Sequence, residues 1–87
     1  MDEDIRIVIL QRGWVVVGRL VEERGDFHLH GGAVVRIWGT TRGLGELASN
    51  GPTADTVLDP VPEMQFHPLT VIATVRCEPS KWAPHIR

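Results

Sequence analysis

The chain has little of several things, and each shortage is informative. It holds one cysteine, Cys77, and no tyrosine. A single thiol cannot form an internal disulfide, which fits a chain working in a reducing compartment. No apolar run approaches the roughly 20 residues that a membrane-spanning helix needs. The opening MDEDIR is acidic where a signal peptide carries a basic region. A cytoplasmic protein without membrane contact is therefore expected. Positive charge is also scarce: the formal net charge is -2 and the pI is near 6.0. General binding to duplex DNA would require a basic stripe. There is no internal repeat and no low-complexity tract.

What remains is an ordinary globular composition. Hydrophobic residues make up 43% of the 87 positions and charged residues 23%, which argues against disorder. A chain of this length forms one domain with a thin core. Alternating β-branched residues predict strands at 5–11, 14–22, 27–30, 33–38, 64–67 and 69–77, with a brief extended piece at 56–58. Gly18 marks a bend or bulge in the second of these. Leu44, Leu47 and Ala48 share one helical face, Thr41 is the expected N-cap, and Asn50-Gly51-Pro52 ends the helix. The fold class is mainly β: a small twisted antiparallel sheet or a partly closed SH3-like or OB-like barrel with one short helix. Residues 1–78 form the domain and 79–87 a peripheral tail.

The strands carry more Val and Ile than a one-sided sheet requires. Two arrangements account for this. In one, Val15 and Val17 meet a second subunit, with Trp82 of the tail docking beside them. In the other, the helix and the proline-rich segments cover that face within the same chain.

The stretch 33–52, AVVRIWGTTRGLGELASNGP, holds the best candidate for ligand chemistry. Arg36 and Arg42 offer planar donor forks, Thr40 and Thr41 offer hydroxyls, and Gly43 opens onto a helix start with free N–H groups. Trp38, or Trp14 from the neighbouring strand, supplies a ring on which a base can stack. The competing account makes Trp38 a core residue, Arg36 a solvated sheet residue and the glycines turn formers.

Other chemistry is weaker. His28 and His30 sit on one strand face, about 7 Å apart, and His67 is a candidate third metal ligand. Two solvent-exposed hairpin histidines explain the same pattern with fewer assumptions. Cys77 alternates with Val71, Ala73 and Val75 and is expected to be a buried thiol. No Ser-His-Asp spacing or paired carboxylates stand out, so no catalytic role is expected.

The segments RIVIL, GWVVVGRL, VVRIWGTTRGLGELASNGPT and MQFHPLTVIATVRCEP resemble a family of small uncharacterised phage and prophage proteins. The features that carry the resemblance are the strand end Arg36-Ile37-Trp38, the helix at 44–48 and a closing strand at 71–77 that ends in Cys77. It covers most of the chain, up to Pro79. It implies a phage origin and a small β-rich fold, but no activity. Small non-enzymatic phage proteins often act against host defence, an association with origin and size rather than with these residues.

Together these readings give a leading expectation: an oligomeric, non-enzymatic binding protein that needs no cofactor. It would capture a small anionic, nucleotide-like ligand, such as an immune signal, using Arg36, Trp38, Thr40, Thr41, Arg42, Gly43 and Trp14. The alternative is a protein–protein interaction module that blocks a host defence protein or serves virion assembly. A third reading, a metal-dependent nuclease or hydrolase, would use the histidines.

Overall fold

The computed structural model describes residues 4–86. The acidic lead therefore lies outside the described residues as far as Glu3, as does Arg87 at the other end. The elements in chain order are β1 (Ile5–Leu10), β2 (Val15–Glu23), β3 (Asp26–Ile37), α1 (Leu44–Asn50), β4 (Val57–Pro60), β5 (Glu63–Phe66), β6 (Val71–Arg76) and α2 (Pro79–Trp82). All pairings are antiparallel, and the sheet runs β4-β3-β2-β1-β6. β5 lies beside the first half of β3 and β4 beside its second half. The sheet is not closed: β6 forms one edge and β4 with β5 the other.

The two strands expected at 27–30 and 33–38 are one bent strand, β3. Gly31-Gly32 bends the chain without ending it. The reason lies in how closely the backbones approach at the bend. A Cβ on Gly32 would stand 2.3 Å from the Val17 carbonyl oxygen, and one on Gly18 would stand 2.8 Å from Leu29 Cγ. The β2–β3 register shifts between Val17 and Arg19, with Gly18 opposite both Gly31 and Gly32, so the irregularity expected at Gly18 is present but its extra residue lies in β3.

The bend turns the distal half of the β2–β3 hairpin, with β5, over the rest of the sheet. Leu20, Leu29, Met64 and Phe66 then pack against Val8, Leu10 and Val16, so the sheet covers one of its own faces. The opposite face carries Ile5, Ile7, Val15, Val17, Ala33 and Val35. It is covered by Leu47 and Ala48 of α1 and by Trp82 and Ile86. The apolar surplus is thus covered within one chain. Val15 and Val17 are 7% and 0% exposed, which removes them as interface residues.

The C-terminal segment is also corrected. Its sparse apolar pattern suggested a peripheral tail, yet Trp82 is fully buried. Its indole N–H donates to the carbonyls of Leu47 and Ala48, at 3.0 and 3.2 Å. One large ring does here what a run of apolar residues does elsewhere. Trp82 is accordingly a core residue and not an interface residue.

Candidate functional site

The segment joining β3 to α1 is held by hydroxyls. Thr56 Oγ1 donates to the Trp38 carbonyl at 2.7 Å, and Thr53 Oγ1 to the Gly39 carbonyl at 2.7 Å. Gly39 has φ +69, and a Cβ there would stand 2.4 Å from the Asp55 carbonyl carbon. Only glycine fits this crossing. The helix starts later than Thr41: its N-cap is Gly43, with no side-chain cap bond. Thr41 instead donates to Glu46 Oε1 at 3.2 Å, and the Arg42 backbone N–H reaches the same oxygen at 3.1 Å. Thr40 Oγ1 donates to the Gly43 carbonyl at 2.9 Å. The chain's own carboxylate therefore sits where an anion was expected.

The structure disperses the predicted ligand residues. Arg36 makes a two-pronged contact with Asp59, Nε to Oδ2 at 2.9 Å and Nη2 to Oδ1 at 3.1 Å. Its fork is engaged, although the pair is exposed and worth at most about 1 kcal/mol. Trp38 is 44% exposed, so it is not a core residue. Its ring lies 3.9 Å from where a Gly43 Cβ would stand, at the start of α1. Arg42 lines a shallow hollow with Glu46, Ser49 and Asn50. Trp14 belongs elsewhere. It lines an open groove of about 400 Å³ with Leu10, Arg12, Met64, Phe66 and Thr70. Met64 and Phe66 cover the sheet face opposite α1.

The histidines are engaged in separate structural contacts. His28 Nδ1 lies 3.1 Å from Glu63 Oε2, and its Nε2 lies 3.8 Å from Glu23. The His28 and His30 rings stack with centroids 6.2 Å apart. His67 Nδ1 accepts from the Leu69 backbone N–H and caps the turn at Pro68–Thr70. Among the described residues, no three His, Cys, Asp or Glu side chains are grouped to hold a metal. Cys77 is buried, as its alternation predicted, and burial pushes its thiol up to about 12. A thiol so rarely ionised is a poor nucleophile.

The structure gathers a different set of residues. Among the described residues, six large apolar side chains are exposed: Trp14, Val21, Ile37, Trp38, Leu69 and Ile72. All but Val21 lie at one end of the sheet. There β1 ends and β2 begins, with Ile9 opposite Val15. β3 ends there too, since Val34 pairs with Val16 and Ile37 follows. β6 begins there, with Val71 opposite Leu10, and the Gln11 amide reaches the Leu69 carbonyl at 3.4 Å. Leu69 is 80% exposed and Ile72 65%, and the Trp14 groove opens at this same end. Sequence alternation assigned Ile37 and Ile72 to strand faces. It gave no means of seeing that these faces end in solvent, because their exposure depends on which strands lie beside them.

No family model matches this chain, and no curated protein matches it. Among the described residues, no helix is long and apolar enough to cross a membrane.

Proposed function

We propose that this chain is a non-catalytic binding protein that contacts a partner protein through the apolar end of its sheet. One observation supports this above all: among the described residues, five of the six large exposed apolar side chains belong to the same end of the sheet. Exposed apolar patches of this kind mark contact surfaces, and tryptophan and arginine are the residues most often found at their centres. Trp14 and Arg12 share the groove there. The resemblance to small phage proteins makes a host defence protein or a virion component the natural partner. The test is quantitative capture from host lysate with the wild-type chain and a Trp14→Ser, Leu69→Ser variant. Both side chains are exposed, so the variant keeps the fold. A protein held by the wild type and released by the variant supports the reading. Equal capture by both overturns it.

Capture of a small nucleotide-like ligand is the second reading. It draws support from Trp38, half exposed at the start of α1, and it is weakened because Glu46 takes the Thr41 hydroxyl and the Arg42 backbone N–H while Asp59 takes the Arg36 guanidinium. A thermal-shift panel of linear and cyclic nucleotides tests it. A ligand at about 100 times its Kd stabilises a protein by about 2.7 kcal/mol.

A further inference from the structure

The groove beside Trp14 has four polar side chains on its walls: Gln11, Arg12, Gln65 and Thr70. Three of them are engaged within the chain. The Gln11 amide donates to the Leu69 carbonyl at 3.4 Å, the Gln65 amide to Asp26 Oδ2 at 3.0 Å, and the Thr70 hydroxyl to the His67 carbonyl at 2.6 Å. Arg12 is different. Among the described residues its guanidinium has no hydrogen-bond or ion-pair partner, and no carboxylate lines the groove. It is the one charged group on walls otherwise built from Leu10, Trp14, Met64 and Phe66.

The backbone adds a second observation. Arg12 sits at the tip of the β1–β2 hairpin with φ +66, and Gly13 follows with φ +80. Asparagine or glycine adopts the first of these positions with less strain than arginine. The β2–β3 tip repeats the pattern, with Arg24 at φ +53 and Gly25 at φ +86. There the hollow around Arg24 includes Glu23 and Asp26. The two tips thus hold the same residue in the same strained conformation. One has carboxylates of its own chain beside it, and the other has an apolar groove and no carboxylate.

We infer that this groove takes a segment of the partner protein in which an acidic residue lies next to a large apolar one. The apolar side chain enters against Trp14, Met64 and Phe66. The carboxylate pairs with Arg12, whose planar fork suits it. Charge complementarity selects this occupant: a basic segment meets repulsion at Arg12, and a neutral one leaves it unpaired. The groove, of about 400 Å³, falls within the range of about 300–1,000 Å³ of sites that hold a ligand. Its apolar surface does not stop at the walls. Leu69, next to Thr70, is 80% exposed, and Ile72 beyond it is 65% exposed. That continuity fits a length of polypeptide better than a small molecule. The inference rests on the partner-binding reading and names the chemistry of the partner.

Three capped peptides test it: acetyl-Ser-Leu-Glu-Phe-Ser-amide, and the same peptide with Gln or Lys in place of Glu. Each is titrated at low salt while the Trp14 indole N–H is followed by NMR. The Glu peptide should shift that resonance and bind about two- to fivefold tighter than the Gln peptide, as an exposed ion pair allows. The Lys peptide should bind most weakly. Arg12→Glu should reverse the order, with the Lys peptide bound best. Arg12→Asn should melt no lower than the wild type yet bind the three peptides alike, which separates recognition by the arginine from its place in the turn. Three peptides bound alike by the wild type, or an order unchanged in Arg12→Glu, overturn the inference and leave partner binding at this end standing. No shift of Trp14 with any peptide also overturns it, and the lysate capture then decides the broader reading by itself.

Discussion

The indole N–H of Trp82 donates to the Leu47 carbonyl at 3.0 Å, tying the C-terminal segment to the last turn of α1. The bond also satisfies the one polar atom of a fully buried ring. α1 has only 7 residues and would not hold its shape alone. Its stability comes from the sheet beneath it and from this ring beside it.

Trp82→Ala should therefore destabilise the whole domain, by about 3–5 kcal/mol, as emptying a core of a large aromatic side chain does. Trp82→Phe keeps much of the volume and removes the indole donor, while the Leu47 and Ala48 carbonyls still accept from the Gly51 and Glu78 N–H groups. It should cost about 0.5–1.5 kcal/mol. Urea unfolding of the two variants measures both. A loss below about 1 kcal/mol for Trp82→Ala would mean that the ring is not in the core.

Two glycine substitutions should move stability in opposite directions. Gly39→Ala forces a Cβ to within 2.4 Å of the Asp55 backbone at φ +69. The cost should be at least about 2 kcal/mol. Gly45 lies in α1 with nothing within 4 Å of an added Cβ. Gly45→Ala should stabilise by about 0.5–1 kcal/mol. Thermal melts of the pair check both signs at once.

The Cys77 thiol links stability to alkaline pH. Its pKa is raised from 9.0 in a solvated thiol to about 12 in the folded chain, chiefly by burial. Below pH 9 the thiol is protonated in both states and its contribution is intact. Between pH 9 and 12 the unfolded chain loses the proton first, so stability falls as pH rises. The slope approaches about 1.4 kcal/mol per pH unit from this one group. Cys77→Ala should lose that slope between pH 9 and 10.5 in denaturant titrations. The native thiol should also resist a disulfide reagent at pH 8, and rapid labelling of the folded protein would contradict its burial.

Glu46 gathers the Arg42 N–H and the Thr41 hydroxyl on one oxygen. Glu46→Ala should cost about 1 kcal/mol, typical of a lost N-terminal cap. If sulfate or a nucleotide then stabilises the variant but not the wild type, the chain's own carboxylate is what blocks an anion there. Equal responses would count against any anion pocket at this turn.

Most of the strands were legible because period two is a local property. Ile5 to Leu10, Val15 to Glu23 and Val71 to Arg76 each announce themselves by alternation. The short helix was legible from Leu44, Leu47 and Ala48, and its end from Gly51. Its start was misplaced at Thr41 because a threonine hydroxyl can cap a helix or donate to a carboxylate, and local sequence does not choose between them. The candidate ligand set was grouped by closeness in sequence. In space, Arg36 turns to Asp59, Trp14 to Met64 and Phe66, and Trp38 to Gly43.

By itself, then, the sequence determined the strand content, the buried thiol of Cys77 and the mainly β class, since each depends on neighbours two to four residues away. Tertiary structure alone decided that Gly31-Gly32 bends one strand instead of separating two, that Val15 and Val17 share a buried core with α1 and Trp82, and that most of the exposed apolar side chains fall at one end of the sheet. These outcomes depend on contacts between residues dozens of positions apart. Such contacts form only when the backbones can approach closely enough, as Gly18 and Gly32 allow them to do.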